Sequence, residues 1–291
     1  MKRALPFAVL SFALFGAARS AHAYCYTTTC NEVYECDGDP APDDCRVLGW
    51  ASRCVGYSVQ EDNRDGIKAK TLEDIVELAF DAWRTADCGD GSPGFVVQNL
   101  GRVPCDKQQY NLDAGNASII MMRVDDWPYG SERLALTTTN FDPETGDLRD
   151  ADMEINGFDY DFSVSDEEVG YDLLSVVTHE AGHFLGMNHS PVESATMIAS
   201  ASFGTTDLRS LDPDDIAGIC QLYPPDDAPK KTCNPLPKHG FSPYCRDDQP
   251  EGSCTAGRVA SEEASTPAMV ALALALGALL RRRRRAVSAR A

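Results

Sequence analysis

Three of the chain's five histidines fall within eleven residues: His179, His183 and His189, with Glu180 beside the first and Gly186 between the last two. On an α-helix, residues four apart lie within about 40° of one another, so His179 and His183 present both imidazoles on one face and can share a metal ion. Continued on the same helix, His189 would lie about 240° round and could not reach that ion. The chain must therefore leave the helix first, and Gly186 is the residue that permits it, because glycine takes the positive φ of a helix C-terminus at little steric cost. Three histidines that leave a fourth coordination position open describe a catalytic zinc site, since structural zinc is usually closed by four protein ligands. Glu180, outside that ligand set, can accept a proton from water that zinc has brought to a pKa of about 7 and pass it to a departing amine. The pattern His-Glu-x-x-His-x-x-Gly-x-x-His should arise by chance on the order of once in 10⁵ chains of this size.

The elements that must position these groups can be read from periodicity. Arg53–Val59 alternates as a strand, and Phe95–Leu100, Ala117–Val124, Leu134–Phe141 and Ala151–Asn156 supply four more candidates. A first helix is expected to open with a capping box at Thr71–Asp74 and to bury Leu72, Ile75, Val76, Ala79, Ala82 and Trp83. A second is capped by Asp172, and its apolar positions Leu173, Val176, Val177 and Phe184 lead into the histidines. A third covers about Pro213 to Tyr223.

The stretch HEAGHFLGMNH resembles the zinc signature of the metzincin metalloproteases, and Ser190 directly after the third histidine resembles the matrixin branch. Met197, in SATMIAS, is similar to the methionine of the turn that packs beneath the ligands in that family without binding metal. LDPDDIAGICQLY resembles the matrixin C-terminal helix, whose paired acids, here Asp214 and Asp215, would support the methionine turn and the N-terminal region. The resemblance spans roughly Val47 to Pro224. It implies an α+β fold: a twisted, mixed five-stranded sheet, three helices and a small C-terminal subdomain, with a flat cleft between them. Leu134, Ala135, Leu136 and Thr137 would form the edge strand that pairs with an extended protein or peptide substrate. Only His22 and His239 remain for a second, structural zinc of the kind animal matrixins carry, so a single catalytic Zn²⁺ is expected. Calcium could be held by the acids of DPETGDLRDAD, but a solvated acidic loop is the favoured reading there; an EF-hand register from Glu61 offers Leu72 where a bidentate Glu is required.

Charge and cysteines bear on where the chain works. Nine of its 26 basic residues and none of its 45 acids lie outside Tyr24–Glu263, leaving that body 17 bases and a net charge of about −28. Such a surface repels nucleic acid. Of eleven cysteines, ten lie between Cys25 and Cys245, enough for five bridges of undetermined pairing, with Cys254 left over. The first four, Cys25 to Cys45, lack the close ligand pairs of a zinc ribbon and read as a stapled segment.

Residues 1–23 have the charged start, apolar run and Ala21-His22-Ala23 exit of a signal peptide. Residues 24–46 then form the disulfide-rich segment, 47–224 the protease-like domain and 225–253 a Pro- and Cys-containing stalk. Residues 254–291 combine a cysteine motif, the apolar run Pro267–Leu280 and five arginines, and resemble the C-terminal sorting signals of myxobacterial type. That resemblance implies export, with Cys254 as the anchored end at a cell-surface membrane; an ordinary single-span anchor is the alternative. The expected protein is a monomeric, surface-held zinc endopeptidase. The alternatives are a peptidase maturing a single partner, and a catalytically silent adhesion module that keeps the zinc scaffold.

Overall fold

A strand buried on both faces and a helix apolar on nearly every side can only be satisfied by layers on either side of a sheet. The computed structural model describes residues 23–30, 44–61, 67–227, 229 and 233–248, and it has this layered form. In chain order its elements are β1 (Cys25–Tyr26), β2 (Cys54–Gln60), α1 (Ala69–Arg84), β3 (Val96–Val103), β4 (Ile119–Arg123), β5 (Ala135–Phe141), β6 (Leu148–Asn156), β7 (Phe162–Ser163), β8 (Tyr171–Asp172), α2 (Leu173–Phe184), β9 (Met187–Asn188) and α3 (Pro213–Leu222). The main sheet runs β3-β2-β4-β6-β5. Its first four strands are parallel neighbours, and β5 closes the edge antiparallel to β6, with Thr137 opposite Met153. The fold is mixed α/β, with the five strands and three helices expected of a metzincin-like domain.

Helices α1 and α2 cover one face. From α1 come Leu72, Ile75, Val76, Ala79, Phe80 and Trp83, packed on Val55, Tyr57, Val59, Met153 and Ile155 of the sheet. Phe80, missed in the periodic reading, stacks on Tyr57 at 5.0 Å between ring centroids and meets the edge of Phe184 at 5.3 Å. Trp83 Nε1 donates to Thr178 O at 2.8 Å and so fixes α1 against the middle of α2.

Two expectations about local structure need correction. The first helix starts at Ala69 with Lys68 as N-cap and no side-chain cap, so Thr71 lies inside its first turn. Asp74, the other half of the expected capping box, instead pairs with Lys70, while Glu73 accepts from Asn99 Nδ2 and Arg102 Nη2, both at 2.8 Å, across to β3. The second correction concerns the expected stalk. Residues 233–248 lie along the sheet's other face, where Asn116 exchanges backbone hydrogen bonds with Gly240 and Ser242, and Phe241 packs against Val103, Cys105, Ile119 and Met121. Cys54–Cys233 and Cys105–Cys245 fasten this segment at both ends. Hydrophobic periodicity was the wrong test for it, because covalent bonds and backbone pairing hold it without an amphipathic pattern.

Cys30–Cys45 and Cys88–Cys220 are the other bridges between described residues, and Cys25 is disulfide-bonded as well. Among the described residues no helix is long and apolar enough to cross a membrane. The expected leader (save Ala23), the EF-hand register at Asn63–Gly66, Cys36 and the Cys254 tail lie outside the described residues.

Candidate metal centre and cleft

The site is built at the end of α2. Asp172 caps that helix, its carboxylate accepting from Ser175 N at 2.8 Å. Arg209 grips the same carboxylate with Nε at 2.8 Å and Nη2 at 2.7 Å. Burial would raise the Asp172 pKa, but the guanidinium and the helix N–H outweigh it and hold the carboxyl below its usual range. The helix ends at Leu185, and Gly186 turns the chain away with φ +103°. A Cβ at Gly186 would stand 2.4 Å from Leu48 O, so this position is restricted by space as well as by φ.

Beyond the turn, β9 pairs antiparallel with β1, setting Cys25 opposite Asn188 and Tyr26 opposite Met187. This pairing carries His189 back to the ring face of α2. The three imidazoles stand 4.8 to 5.2 Å apart between ring centroids. Their ligand atoms all lie within 4.8 Å of one another.

This geometry suits one small, borderline-soft cation. His179 Nδ1 donates to Thr196 O at 2.7 Å, and His183 Nδ1 donates to Met187 O at 3.0 Å. Carbonyls accept only, so both rings are fixed in the tautomer that leaves the Nε2 lone pair free for a metal. His183 Nε2 and His189 Nε2 are 3.2 Å apart. Two nitrogens sharing a tetrahedral zinc at 2.0–2.1 Å each would stand about 3.3 Å apart. Burial and the neighbouring imidazoles push the His183 pKa well down and that of His189 down to about 4, which keeps both rings neutral, as ligands must be.

Beneath the rings lies the turn containing Met197, which is fully buried. A Cβ on Gly182 would stand 2.3 Å from Met197 Sδ, so α2 and the turn approach as closely as a glycine allows. Ser190 N donates to Met197 O at 2.7 Å and closes the loop between them. Asp215, fully buried at the start of α3, accepts from Thr196 N at 2.7 Å, Met197 N at 3.1 Å and Asp212 N at 2.9 Å. Hydrogen bonds to a charged acceptor contribute about 1.5–3 kcal/mol each. Asp214 accepts from Ser190 Oγ at 2.7 Å and from Ala23 N at 2.8 Å. Asp215 is linked through Thr196, whose carbonyl holds His179, to a ligand ring by two successive hydrogen bonds.

Glu180 is 7 % exposed and lines a cleft of about 550 Å³ together with the three histidines, Leu136, Thr137 and Leu208. Burial raises its pKa, opposed by His179 and by a hydrogen bond from Thr137. Leu134, Ala135 and Leu136 border the same cleft, the last two on β5, whose only partner among the described strands of the main sheet is β6. Ile198, Ala199, Ser200 and Ala201 form part of the opposite wall.

Of the sequence-derived site residues, the three histidines, Glu180 and Leu134 to Leu136 line the cleft, Gly186, Met197, Asp214 and Asp215 lie in the turns and helix start behind it, and Cys254 lies outside the described residues. Sequence reasoning missed the β1–β9 pairing, the Thr137 contact with Glu180 and the Arg209 clamp on Asp172. Each joins residues far apart in the chain and leaves no local signal.

Comparison with known proteins agrees with this arrangement. Residues 123–224, about a third of the chain, match the family described as Matrixin. The Arabidopsis thaliana protein Metalloendoproteinase 1-MMP is 44% identical over 86 residues, covering 30% of this chain and 23% of that one. Matrilysin of Rattus norvegicus is 46% identical over 57 residues, 20% of this chain and 21% of that one. Matrix metalloproteinase-16 of Homo sapiens is 44% identical over 69 residues, 23% of this chain and 11% of that one. The chain therefore spans less than a quarter of the length of these relatives.

Proposed function

We propose that the chain is a zinc-dependent endopeptidase that hydrolyses peptide bonds in extended segments of extracellular proteins. The observation that carries this reading is the convergence of three imidazoles and a buried carboxylate in a cleft beside a strand edge that has no partner among the described residues. His179, His183 and His189 would hold the ion through Nε2, with Thr196 O and Met187 O fixing the first two rings. When bound, zinc supplies Lewis-acid polarisation of the scissile carbonyl and acidifies water. Ala135, between Leu134 and Leu136, turns its backbone groups to the open edge and offers them to an extended peptide, since the Leu134 carbonyl is taken by Asn156 N at 2.8 Å, and side-chain pockets across the cleft supply selectivity. Glu180 accepts the proton of the attacking water at its carboxylate and returns it to the leaving nitrogen. Its buried position keeps bulk water from competing for that proton.

Export and surface display through Cys254 form the second part of the proposal. The disulfides support it, since such bonds persist in oxidising compartments. The tail's own sequence supports it too. Calcium is not assigned to the acidic loop: Asp142 and Asp147 are occupied by Arg149 at 3.0 and 2.6 Å, and Asp150 and Asp152 are buried in β6 rather than solvated as the sequence led us to expect.

The test is a set of fluorogenic peptides offered to the zinc-loaded protein and to its Glu180→Ala variant. Turnover in the first, with loss of about 10²–10⁴-fold in the second at equal zinc content, is expected. Equal behaviour of both proteins, or zinc binding without cleavage of any peptide, would favour a silent binding module instead.

A further inference from the structure

We propose that Thr137 is a positioning residue for Glu180, setting the direction of the base from the strand that receives the substrate. This rests on the endopeptidase reading above. Thr137 Oγ1 lies 2.6 Å from Glu180 Oε2, donating to it, and 3.3 Å from the Glu180 carbonyl oxygen. Among the described residues it is the only group that hydrogen-bonds this carboxylate. One carboxylate oxygen is thereby committed to the strand, and the other is left for the reaction in a cleft that Glu180 lines together with the three histidines.

The chemistry of the donor fits this task. A hydroxyl is one of the few neutral donors short enough to reach a helix from a strand, and it adds no charge beside a metal centre. Threonine is β-branched, so its χ1 is stiff and the hydroxyl direction is set by the backbone. That backbone is held in register, since Thr137 lies opposite Met153 in the β5–β6 ladder and Met153 is fully buried. Ala135 and Leu136 immediately precede Thr137 on β5, so the edge that would align a peptide and the contact that aims the base belong to one rigid strand. A peptide bound to β5 is thus placed relative to the base by the same element. The cost of losing such alignment is large, because displacement by about 1 Å can lower a rate about 10²-fold.

The experiment compares wild type, Thr137→Val, Thr137→Ser and Glu180→Ala as full-length, zinc-loaded proteins. We measure kcat and KM on one fluorogenic peptide, zinc content and melting temperature, and solve crystal structures of the threonine variants. Thr137→Val should lose about 10- to 10²-fold in kcat with KM within about twofold, at unchanged zinc content. Thr137→Ser should recover most of the loss, and the Glu180 carboxylate should be turned from its wild-type direction only in the valine variant. Wild-type kcat in Thr137→Val, a loss confined to KM, no rescue by serine, or an unmoved Glu180 would each overturn the proposal. If Glu180→Ala stays inactive while Thr137→Val is fully active, the endopeptidase reading stands and this inference falls. Turnover that survives Glu180→Ala overturns both.

Discussion

The two faces of the sheet are built by different means. On the helical face, Val55, Tyr57, Val59, Ile120, Met153 and Ile155 pack against α1 and α2, and the cohesion is hydrophobic. On the opposite face, β6 presents Asp150, Asp152, Glu154 and Asn156, all buried, beside a small apolar cluster around Ile119 and Met121. Asp152 accepts from Ile119 N at 2.8 Å and Gln109 N at 3.0 Å, Asp150 from Ser118 Oγ at 3.0 Å, and Glu154 from Tyr129 at 2.8 Å with Arg123 alongside at 3.2 Å. Among the described residues, Ser58 Oγ and Gln60 Oε1 there are buried without a hydrogen-bond partner. A face so expensive in desolvation needs another fastening, and the two disulfides of the 233–248 segment provide it. The lesson is that the layer carrying the histidines stands on packing, whereas the far layer stands on covalent staples and polar contacts.

Perturbing each face should separate the two. The largest effect is expected from Phe184→Ala, which removes a fully buried ring where α1, α2 and Trp50 meet. Denaturant unfolding should register a loss of about 3–5 kcal/mol, with peptide turnover falling because α2 carries the histidines. Next comes Cys105→Ser with Cys245→Ser, which opens a bridge spanning 140 residues. Stability should fall by about 2–5 kcal/mol, but kcat on a fluorogenic peptide should change little, since the cleft lies on the other side. Loss of kcat at a temperature where the double variant is folded would contradict the separation.

A smaller effect sharpens the contrast through pH. Burial pushes the Asp150 carboxyl up to about 7, and Asp152 is raised as well by burial and by Asp150. Because the folded values exceed the unfolded value of about 4, the protonated pair gives its full stability below that pH and loses it as pH rises towards about 7. Melting temperature should therefore drop across this window, and Asp150→Asn should flatten the slope. The smallest effect is expected from Asp172→Asn, which keeps a capping side chain but removes the charge that Arg209 grips. A loss of about 1 kcal/mol is expected, and it should shrink when Arg209 is also replaced, a double-mutant cycle that measures the pair directly.

What was legible in the sequence follows the same division. Asp172 before an apolar run, Gly186 after it and the acids opening α3 are local signals, and the structure has a cap, a left-handed turn and a capping box at those places. The run Ala151–Asn156 reads as a strand, yet the strand starts earlier, at Leu148 inside the expected acidic loop, and both its faces are covered. Its cover comes from the 104–118 loop and residues 233–248, neither of which carries periodicity, so no local reading could find it. Thr137 reads as an ordinary β-former in TTT and acquires meaning only when β5 is laid beside α2. The first helix begins earlier than its capping pattern suggested, with Thr71 inside the first turn and Asp74 paired with Lys70 rather than with a backbone N–H.

The most direct test of the central claim is anomalous diffraction at the zinc edge from crystals of the zinc-loaded protein. The account predicts one peak within bonding distance of Nε2 of His179, His183 and His189, with the Glu180 carboxylate facing the open side of the ion. A peak elsewhere, or His189 turned away from the ion, would contradict it.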